Sequence, residues 1–185
     1  MRTLIPSSLS RTLALIPPAI ALIAQQSHAG FITYLKIESI PGEVTDKGHE
    51  GWISVDSVNW GMSRTVSSTS GGGGRTTSPP TFSEVTVTKQ IDKSSPQLFL
   101  AAVAGKENLI PIKIELVDST THLTYYRLTL DGVLVSSQNC TAVSGATKGA
   151  ETISMNFTKI KVESLGAAGS TPITGGYDLT TGKPF

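Results

Sequence analysis

The sequence has very few of the side chains that usually carry catalysis or bind metals. Its 185 residues include one cysteine and three histidines. A single cysteine cannot form an internal disulfide, so the fold does not depend on covalent cross-links. No two histidines stand at the spacing of zinc ligands. We therefore predict a protein without a cofactor or a bound metal, and one that is not an enzyme.

Three local patterns imitate functional sites without meeting their chemical requirements. Cys140 has no glycine-rich turn or helix start beside it to activate a thiolate, so we predict a packed small residue. Asp46, His49 and Glu50 could be written as metal ligands, but such residues on a turn are more often solvated. The run Gly71–Gly74 is followed by an arginine where a phosphate-binding loop requires Gly-Lys-Ser/Thr.

The charge of the chain is too balanced to suggest a nucleic acid or a membrane surface as partner. The sequence contains 15 Lys and Arg against 14 Asp and Glu, a net charge of +1, and these charges form no basic run. Proteins that bind nucleic acid need a concentrated basic patch. We predict no nucleic-acid partner, and no membrane insertion once the N-terminal segment has been removed.

Residues 1–29 have the composition of a secretory signal peptide. Two arginines precede the apolar run Leu13 to Ala24, and Ser27–Ala29 provides a small-x-small cleavage site. The run is 12 residues long, whereas a helix that spans a bilayer needs about 20. An uncleaved anchor or a wrongly assigned start is the alternative. We expect a secreted or periplasmic protein whose single domain covers 30–185.

The rest of the chain predicts an all-β protein with one short helix. The predicted strands are Phe31–Ile40, Trp52–Trp60, Phe82–Lys89, Ile110–Val117, His122–Leu130, Val133–Ser137 and Glu151–Glu163. Ser63–Pro80 is rich in Ser, Thr and Gly and predicts a long exposed loop. A phase change near Lys159 predicts a β-bulge, and the tail at 164–185 contains a candidate edge strand. This pattern favours an antiparallel β-barrel or sandwich.

The predicted helix begins at Ser95 and ends at Gly105. Ser95 is the expected N-cap, Pro96 fits the first helical position, and Gly105 tolerates the left-handed C-cap conformation. The body of the helix is apolar on every side, so it must be covered all round. Either a loop of the same chain or a neighbouring subunit covers it, and we favour the neighbour. The predicted subunit-contact residues are Leu98, Phe99, Ala101, Ala102 and Val103.

Several separate motifs resemble, in order and spacing, those of the Hcp family, the haemolysin-coregulated proteins of the bacterial type VI secretion system. These motifs are Tyr34–Ile37, Asp46–His49, Trp60–Ser63, Lys89–Pro96, Leu130–Ser137 and Asn156–Phe157. The resemblance covers Tyr34 to about Glu163. It implies a β-barrel with one helix, assembled into hexameric rings that stack into a tube with a lumen for effectors, and possible partners are therefore other copies, effectors and the sheath and spike.

The resemblance also implies roles for particular residues. The long loop would reach toward the next ring, through Gly71, Gly72, Gly73, Gly74 and Arg75. Asn59 would border the lumen. Asp131-Gly132 is locally a type I′ hairpin signal, but the family would make it a bend in one continuous strand, and we follow the family.

The signal peptide is a departure from the resemblance, because tube subunits are expected to assemble in the cytoplasm. Two other functions therefore stay open. An exported Hcp-like protein could act as an adhesin, a matrix component or an effector carrier outside the contractile machine. A ligand-binding β-barrel would need an apolar interior cavity.

Overall fold

The computed structural model describes residues 30–68, 74–105, 111–166 and 170–185. Within these ranges the chain forms fifteen strands and one helix. The strands of the first half are β1 Phe31–Ile37, β2 Ile53–Val55, β3 Ser57–Asn59, β4 Met62–Ser63, β5 Val66–Ser68, β6 Arg75–Thr77, β7 Thr81–Phe82 and β8 Val85–Gln90. After helix α1 Ser95–Ala104 come β9 Ile112–Asp118, β10 Thr124–Asp131, β11 Leu134–Thr141, β12 Ala150–Asn156, β13 Lys159–Ser164, β14 Ile173–Asp178 and β15 Lys183–Pro184. The predicted all-β class with one helix is confirmed.

Two antiparallel sheets enclose the core. The larger has seven strands in the order β15-β14-β13-β10-β9-β1-β2, and the smaller has four in the order β11-β12-β8-β3. Alternate residues of both sheets point inward, as the period of two requires. Leu35, Val87, Ile114, Leu128 and Ile153 are completely buried between them. In the described part of the chain these side chains occupy the space between the sheets where a ligand-binding barrel would need an apolar cavity.

The chain crosses between the two sheets once through α1, from β8 to β9, and three times by a short bend, and these crossings join the sheets into a barrel. It passes from β2 to β3 at Asp56, from β10 to β11 at Gly132, and from β12 to β13 at Phe157 and Thr158. Gly132 has a φ of +59°, and the strands that it joins do not pair with each other. The predicted bend, rather than a hairpin, is therefore confirmed at this position.

Two sequence predictions are corrected by these crossings. Trp52–Trp60 and Glu151–Glu163 were each expected as one strand, and each is two short strands that belong to different sheets. The phase change near Lys159 is not a β-bulge. It marks the point where the inward-facing set is exchanged as the chain leaves one sheet and enters the other.

The predicted exposed loop is a two-stranded arm. Strand β4 pairs with β7 and β5 pairs with β6, and the side chains of β5 and β6 are all exposed. Gly71, Gly72 and Gly73 lie outside the described residues. The arm emerges at one end of the barrel, which we call the mouth. Strands β3 and β8 meet there.

Helix α1 begins one residue earlier than predicted from its cap. The N-cap is Ser94, whose side chain makes no capping hydrogen bond, and Ser95 is the first helical residue. Gly105 adopts the left-handed conformation, with φ 56° and ψ 30°, so the predicted C-terminus is confirmed. The helix packs against β11. No helix in the described part of the chain is both long enough and apolar enough to cross a bilayer.

Strand β14 confirms the predicted edge strand in the C-terminal tail. It pairs with β13 along its whole length and with β15 at its end. Gly176 lies under the ring of Phe185, where a Cβ atom would come within 2.6 Å of that ring. A larger residue at this position would displace the Phe185 ring, which is 64% exposed, from its place across β14.

Candidate assembly surfaces

One face of α1 is apolar and has no cover from the described part of its own chain. Leu98 is fully buried and Ala101 nearly so, and both pack into the subunit's core. Phe99, Leu100 and Val103 point away from the core and are 56%, 63% and 67% exposed. Exposing three adjacent large apolar side chains to water costs free energy in proportion to their exposed apolar area.

The predicted contact set is therefore only partly compatible with the structure. Leu98 and Ala101 have no surface left for a neighbour, because their own core occupies it. Phe99 and Val103 are available, and Ala102 is half-buried at the margin. Leu100 was not predicted and belongs to the same exposed face. We call Phe99, Leu100 and Val103 the helix face.

A buried ionic network fixes the start of α1 to the four-stranded sheet. Lys89 of β8 and Glu151 of β12 are both completely buried, and Lys89 Nζ lies 2.7 Å from Glu151 Oε1. Lys89 also donates to Asp92 Oδ1 and to the carbonyl of Gln90, at 2.8 Å each. Ser95 Oγ donates to Glu151 Oε1 at 2.7 Å. The helix is thus held by directional bonds as well as by apolar contact.

Glu151 remains ionised in this network although it is buried. Burial by itself would raise the pKa of this carboxyl. Hydrogen bonds from Lys89, Ser95 and Gln138, with the positive charge of Lys89, lower the pKa below its usual value of 4.5. Gln138 Nε2 donates to Glu151 Oε2 at 2.6 Å. The carboxylate therefore accepts bonds from three elements, which are β8, α1 and β11.

A second network lies on the outer face of the seven-stranded sheet. His49 stacks on Tyr34, meets Trp52 edge-on, and its Nε2 donates to Glu115 Oε2 at 2.9 Å. Arg127 Nε donates to Glu115 Oε1 at 2.6 Å. Burial opposes ionisation of Glu115, but the bonds from His49, Thr124 and Arg127 lower its pKa overall. His49 is therefore a structural residue that fastens the turn to the sheet.

The hydroxyl of Tyr34 donates to Asp46 in the same network. Burial, followed by the hydrogen bond to Asp46 and its negative charge, raises the pKa of Tyr34 to about 12. Glu50 accepts from the backbone of Gly48. In the described part of the chain, no group of His, Cys, Asp and Glu is arranged to hold a metal ion.

The outward face of the four-stranded sheet is polar and uncharged. Its strands pair Asn59 with Thr86, Ser57 with Thr88, Thr88 with Thr152 and Thr86 with Ser154. Two of these pairs, Thr86–Ser154 and Thr88–Thr152, bring hydroxyl oxygens to 3.4 Å. Ser137 and Asn139 continue the face on β11. No residue with a charged side chain lies on this face in the four strands, all of which the structure describes.

Comparison with known proteins identifies the family. A family model described as "Type VI secretion system effector, Hcp" matches residues 34–163, which is more than half of the chain. The chain belongs to the Hcp family. A comparison with curated proteins gave no match.

Solved structures agree with this assignment of Hcp membership. A structure described as a type six secretion system protein has 29% identity, covers 84% of this chain and 100% of its own, and superposes with a TM-score of 0.78. Hcp1 from Salmonella typhimurium has 25% identity, with 84% and 99% covered and a TM-score of 0.70. A type VI effector from Yersinia pestis, at 23% identity with 79% and 98% covered, shares the fold with a TM-score of 0.62.

Other residues singled out in this Hcp sequence are placed as follows. Asn59 is exposed at the end of β3, on the uncharged face. Arg75 begins β6 in the arm and is exposed. Cys140 is exposed on β11 rather than packed, so that prediction is wrong. Desolvation of the sulfur, followed by its hydrogen bond to the Glu151 carboxylate, raises the pKa of the thiol, which disfavours the reactive thiolate.

The alternation of β8 is a sequence signal for the Lys89 network. It places Lys89 on the same face as Val85 and Val87, and this face is the buried one. A lysine on a buried face requires a buried acceptor. Glu151 occupies an inward position on β12 by the same alternation.

Proposed function

We propose that the ring contact of this tube subunit joins the two edges of the four-stranded sheet, β11 of one copy to β3 of the next. Membership of the Hcp family makes the chain a structural subunit of the type VI secretion tube. The hexameric ring is the family's assembly, and the geometry of the contact is our proposal. The observation that carries it is the exposed helix face beside the β11 edge.

A ring needs two different surfaces on each subunit, because a head-to-tail contact must repeat around the axis. The helix face lies at the β11 edge, and the half-buried side chains of Val58 and Trp60 lie at the β3 edge. Both β11 and β3 have one row of backbone groups without a strand partner in the described fold. Unpaired edges of this kind are templates for a strand of another chain.

The uncharged face of the four-stranded sheet then lines the lumen. If neighbouring edges meet, this sheet continues from subunit to subunit around the ring, and one of its faces must point to the axis. The barrel core occupies the other face, so Asn59, Thr86, Thr88 and Thr152 face the channel. A wall of hydroxyl and amide groups holds water without a fixed charge that would retain a charged effector.

The proposal is tested by placing a charge on the helix face. Val103→Glu should leave the subunit folded, because the side chain is exposed in the isolated chain. It should abolish ring formation, since burying an unpaired carboxylate in the contact costs several kcal/mol. Light scattering after size exclusion, at concentrations where the parent chain 30–185 is hexameric, measures the result.

Val143→Glu is the matched control. Val143 is 68% exposed, in the turn between β11 and β12 at the end of the barrel opposite the mouth. This variant should form rings as the parent does. Rings of normal stability from Val103→Glu, or a parent chain that stays monomeric at high micromolar concentration, would contradict the proposed contact.

The segment 1–29 supports a second candidate, an exported Hcp-like protein that acts outside the contractile machine. Secretion through the type VI machine and export by a signal peptide lead to different N-termini. Cell fractionation with N-terminal sequencing distinguishes them. A chain that begins at Gly30 in the periplasm favours the exported form, and an intact N-terminus on protein released only with a functional sheath favours the tube subunit.

A further inference from the structure

The arm carries positive charge that the described part of its own chain does not balance. From Trp60 to Ser83 the only charged side chains are Arg64 and Arg75. Both are exposed, and neither makes an ion pair among the described residues. Arg75 stands opposite Ser68 of β5, which places it up to about 17 Å along the arm from β4. Its guanidinium is therefore presented away from its own barrel.

A hollow lies at the other end of the ribbon that β3 and β8 form. Strand β3 follows Asp56 and ends at Asn59, just before the arm begins, and β8 runs antiparallel to it and ends at Gln90. The hollow has a volume of about 350 Å³, and both Asp56 and Gln90 line it. The arm and the hollow are thus at opposite ends of one ribbon.

The walls of this hollow hold more carboxylates than cations. The lining contains one ammonium, that of Lys148, and four carboxylates, those of Glu43, Asp46, Asp56 and Asp92. Lys148 Nζ lies 3.9 Å from Glu43 Oε2, with both side chains about half exposed. One cation at the margin therefore serves one of the four carboxylates.

The other three carboxylates are not neutralised within the subunit. Asp46 accepts from the uncharged hydroxyl of Tyr34. Asp92 shares the single charge of Lys89 with the buried Glu151. The carboxylate of Asp56 is exposed and has neither a hydrogen bond nor an ion pair in the described part of the chain. The hollow is therefore a concave surface with unbalanced negative charge, complementary to the arm.

We propose that the arm of one subunit docks into the hollow of a subunit in the next ring, where the Arg75 guanidinium pairs with the Asp56 carboxylate. The inference rests on the proposed ring contact. Because that contact joins strand edges around the ring, the strands themselves run from one face of the ring to the other. Rings stacked in one orientation then bring each arm against a hollow. A guanidinium can bind a carboxylate through two parallel hydrogen bonds, which also fixes the rotation of one ring on the next.

Salt separates this contact from the one within the ring. Raising the ionic strength from about 0.1 M to 1 M shortens the Debye length from about 10 Å to about 3 Å. Stacks of chain 30–185 should therefore dissociate into single rings, because the apolar helix face is not screened. Electron microscopy and light scattering measure both species. Stacks that persist unchanged in about 1 M salt would contradict a contact between exposed charges.

Charge reversal tests the paired residues. Arg75→Glu alone and Asp56→Arg alone should each lower the fraction of stacked rings at least tenfold, since like charges then meet at every subunit. The two changes together should restore stacking to near the parent level. Glu38→Arg is the matched control, because this carboxylate is 63% exposed and lies outside the hollow. Failure of the double variant to recover would overturn the pairing.

Disulfide trapping between two variant chains keeps the test independent of the ring. Both chains carry Cys140→Ser, one adds Arg75→Cys and the other Asp56→Cys. We expect the mixed disulfide at least tenfold more often than with Glu38→Cys as the second chain, and equal yields would overturn the inference while parent rings still stand. If chain 30–185 forms no rings, the ring proposal fails, and the disulfide yield still decides whether the arm binds the hollow.

Discussion

The Lys89–Glu151 pair gives a prediction whose size follows from its burial. Both side chains are fully buried, at a distance of 2.7 Å. Lys89→Met would leave the Glu151 carboxylate in the core without its cation, and removal of one partner of a buried pair costs about 3–5 kcal/mol. For a chain of this length, we expect the Tm to fall by roughly 10 °C or more. Differential scanning calorimetry and urea unfolding measure the change.

A double-mutant cycle shows whether the loss comes from the pair itself. Glu151→Gln keeps an acceptor for Ser95 and removes the negative charge. The double variant with Lys89→Met should be more stable than the sum of the single losses predicts, with a coupling of about 1–3 kcal/mol. The control is Lys148→Met, since Lys148 lies 3.9 Å from Glu43 with both side chains about half exposed.

The control should change the free energy of unfolding by less than about 0.5 kcal/mol, as surface pairs do. Losses of under about 1 kcal/mol for Lys89→Met, or additive effects in the cycle, would refute the reasoning. Either result would mean that water or structural relaxation compensates the charge left in the core.

Three further predictions follow from other contacts. Gly42→Ala should destabilise the fold by about 1–3 kcal/mol, because its Cβ would lie 2.0 Å from the carbonyl oxygen of Trp52; a normal urea midpoint would contradict this. The folded pKa values of Glu115 and Glu151 lie below 4.5. Their contribution to the free energy of unfolding is therefore complete above about pH 4.5 and is lost as the pH falls through the folded values. Glu151→Gln should make the urea midpoint depend less on pH below about 4.5. Deletion of Gly71–Gly74 should leave the unfolding free energy nearly unchanged and reduce ring stacking more than ring formation, and stacking equal to the parent's by electron microscopy would exclude a stacking role for the arm.

The sequence predicts the strands of this fold well and the sheets to which they belong poorly. Alternation gives the inward faces of β8, β9 and β12 because burial acts on each residue locally. It does not show that Asp56 divides one apparent strand between two sheets. Such a crossing needs the long-range pairing of β3 with β8, which single-strand periodicity does not encode.

The helix face was likewise only partly predictable from the sequence. The all-apolar composition of α1 predicts that the helix is covered on every side, but it does not show which side faces the core of its own subunit. That choice is made by the docking of the helix on β11, which places Leu98 inward and Leu100 outward. The predicted set therefore included Leu98, which is inaccessible, and left out Leu100, which is exposed.

The orientation of the helix face connects the buried network to assembly. Apolar contact is non-directional, so the packing of Leu98 and Ala101 alone would tolerate rotation of a short helix about its axis. The bond from Ser95 Oγ to Glu151, at 2.7 Å, is made in the first turn and is directional. Since Phe99 and Val103 lie only one and two turns beyond Ser95, this anchor determines which side chains reach the neighbour. A costly buried charge is therefore placed where it helps to fix the direction of the helix face.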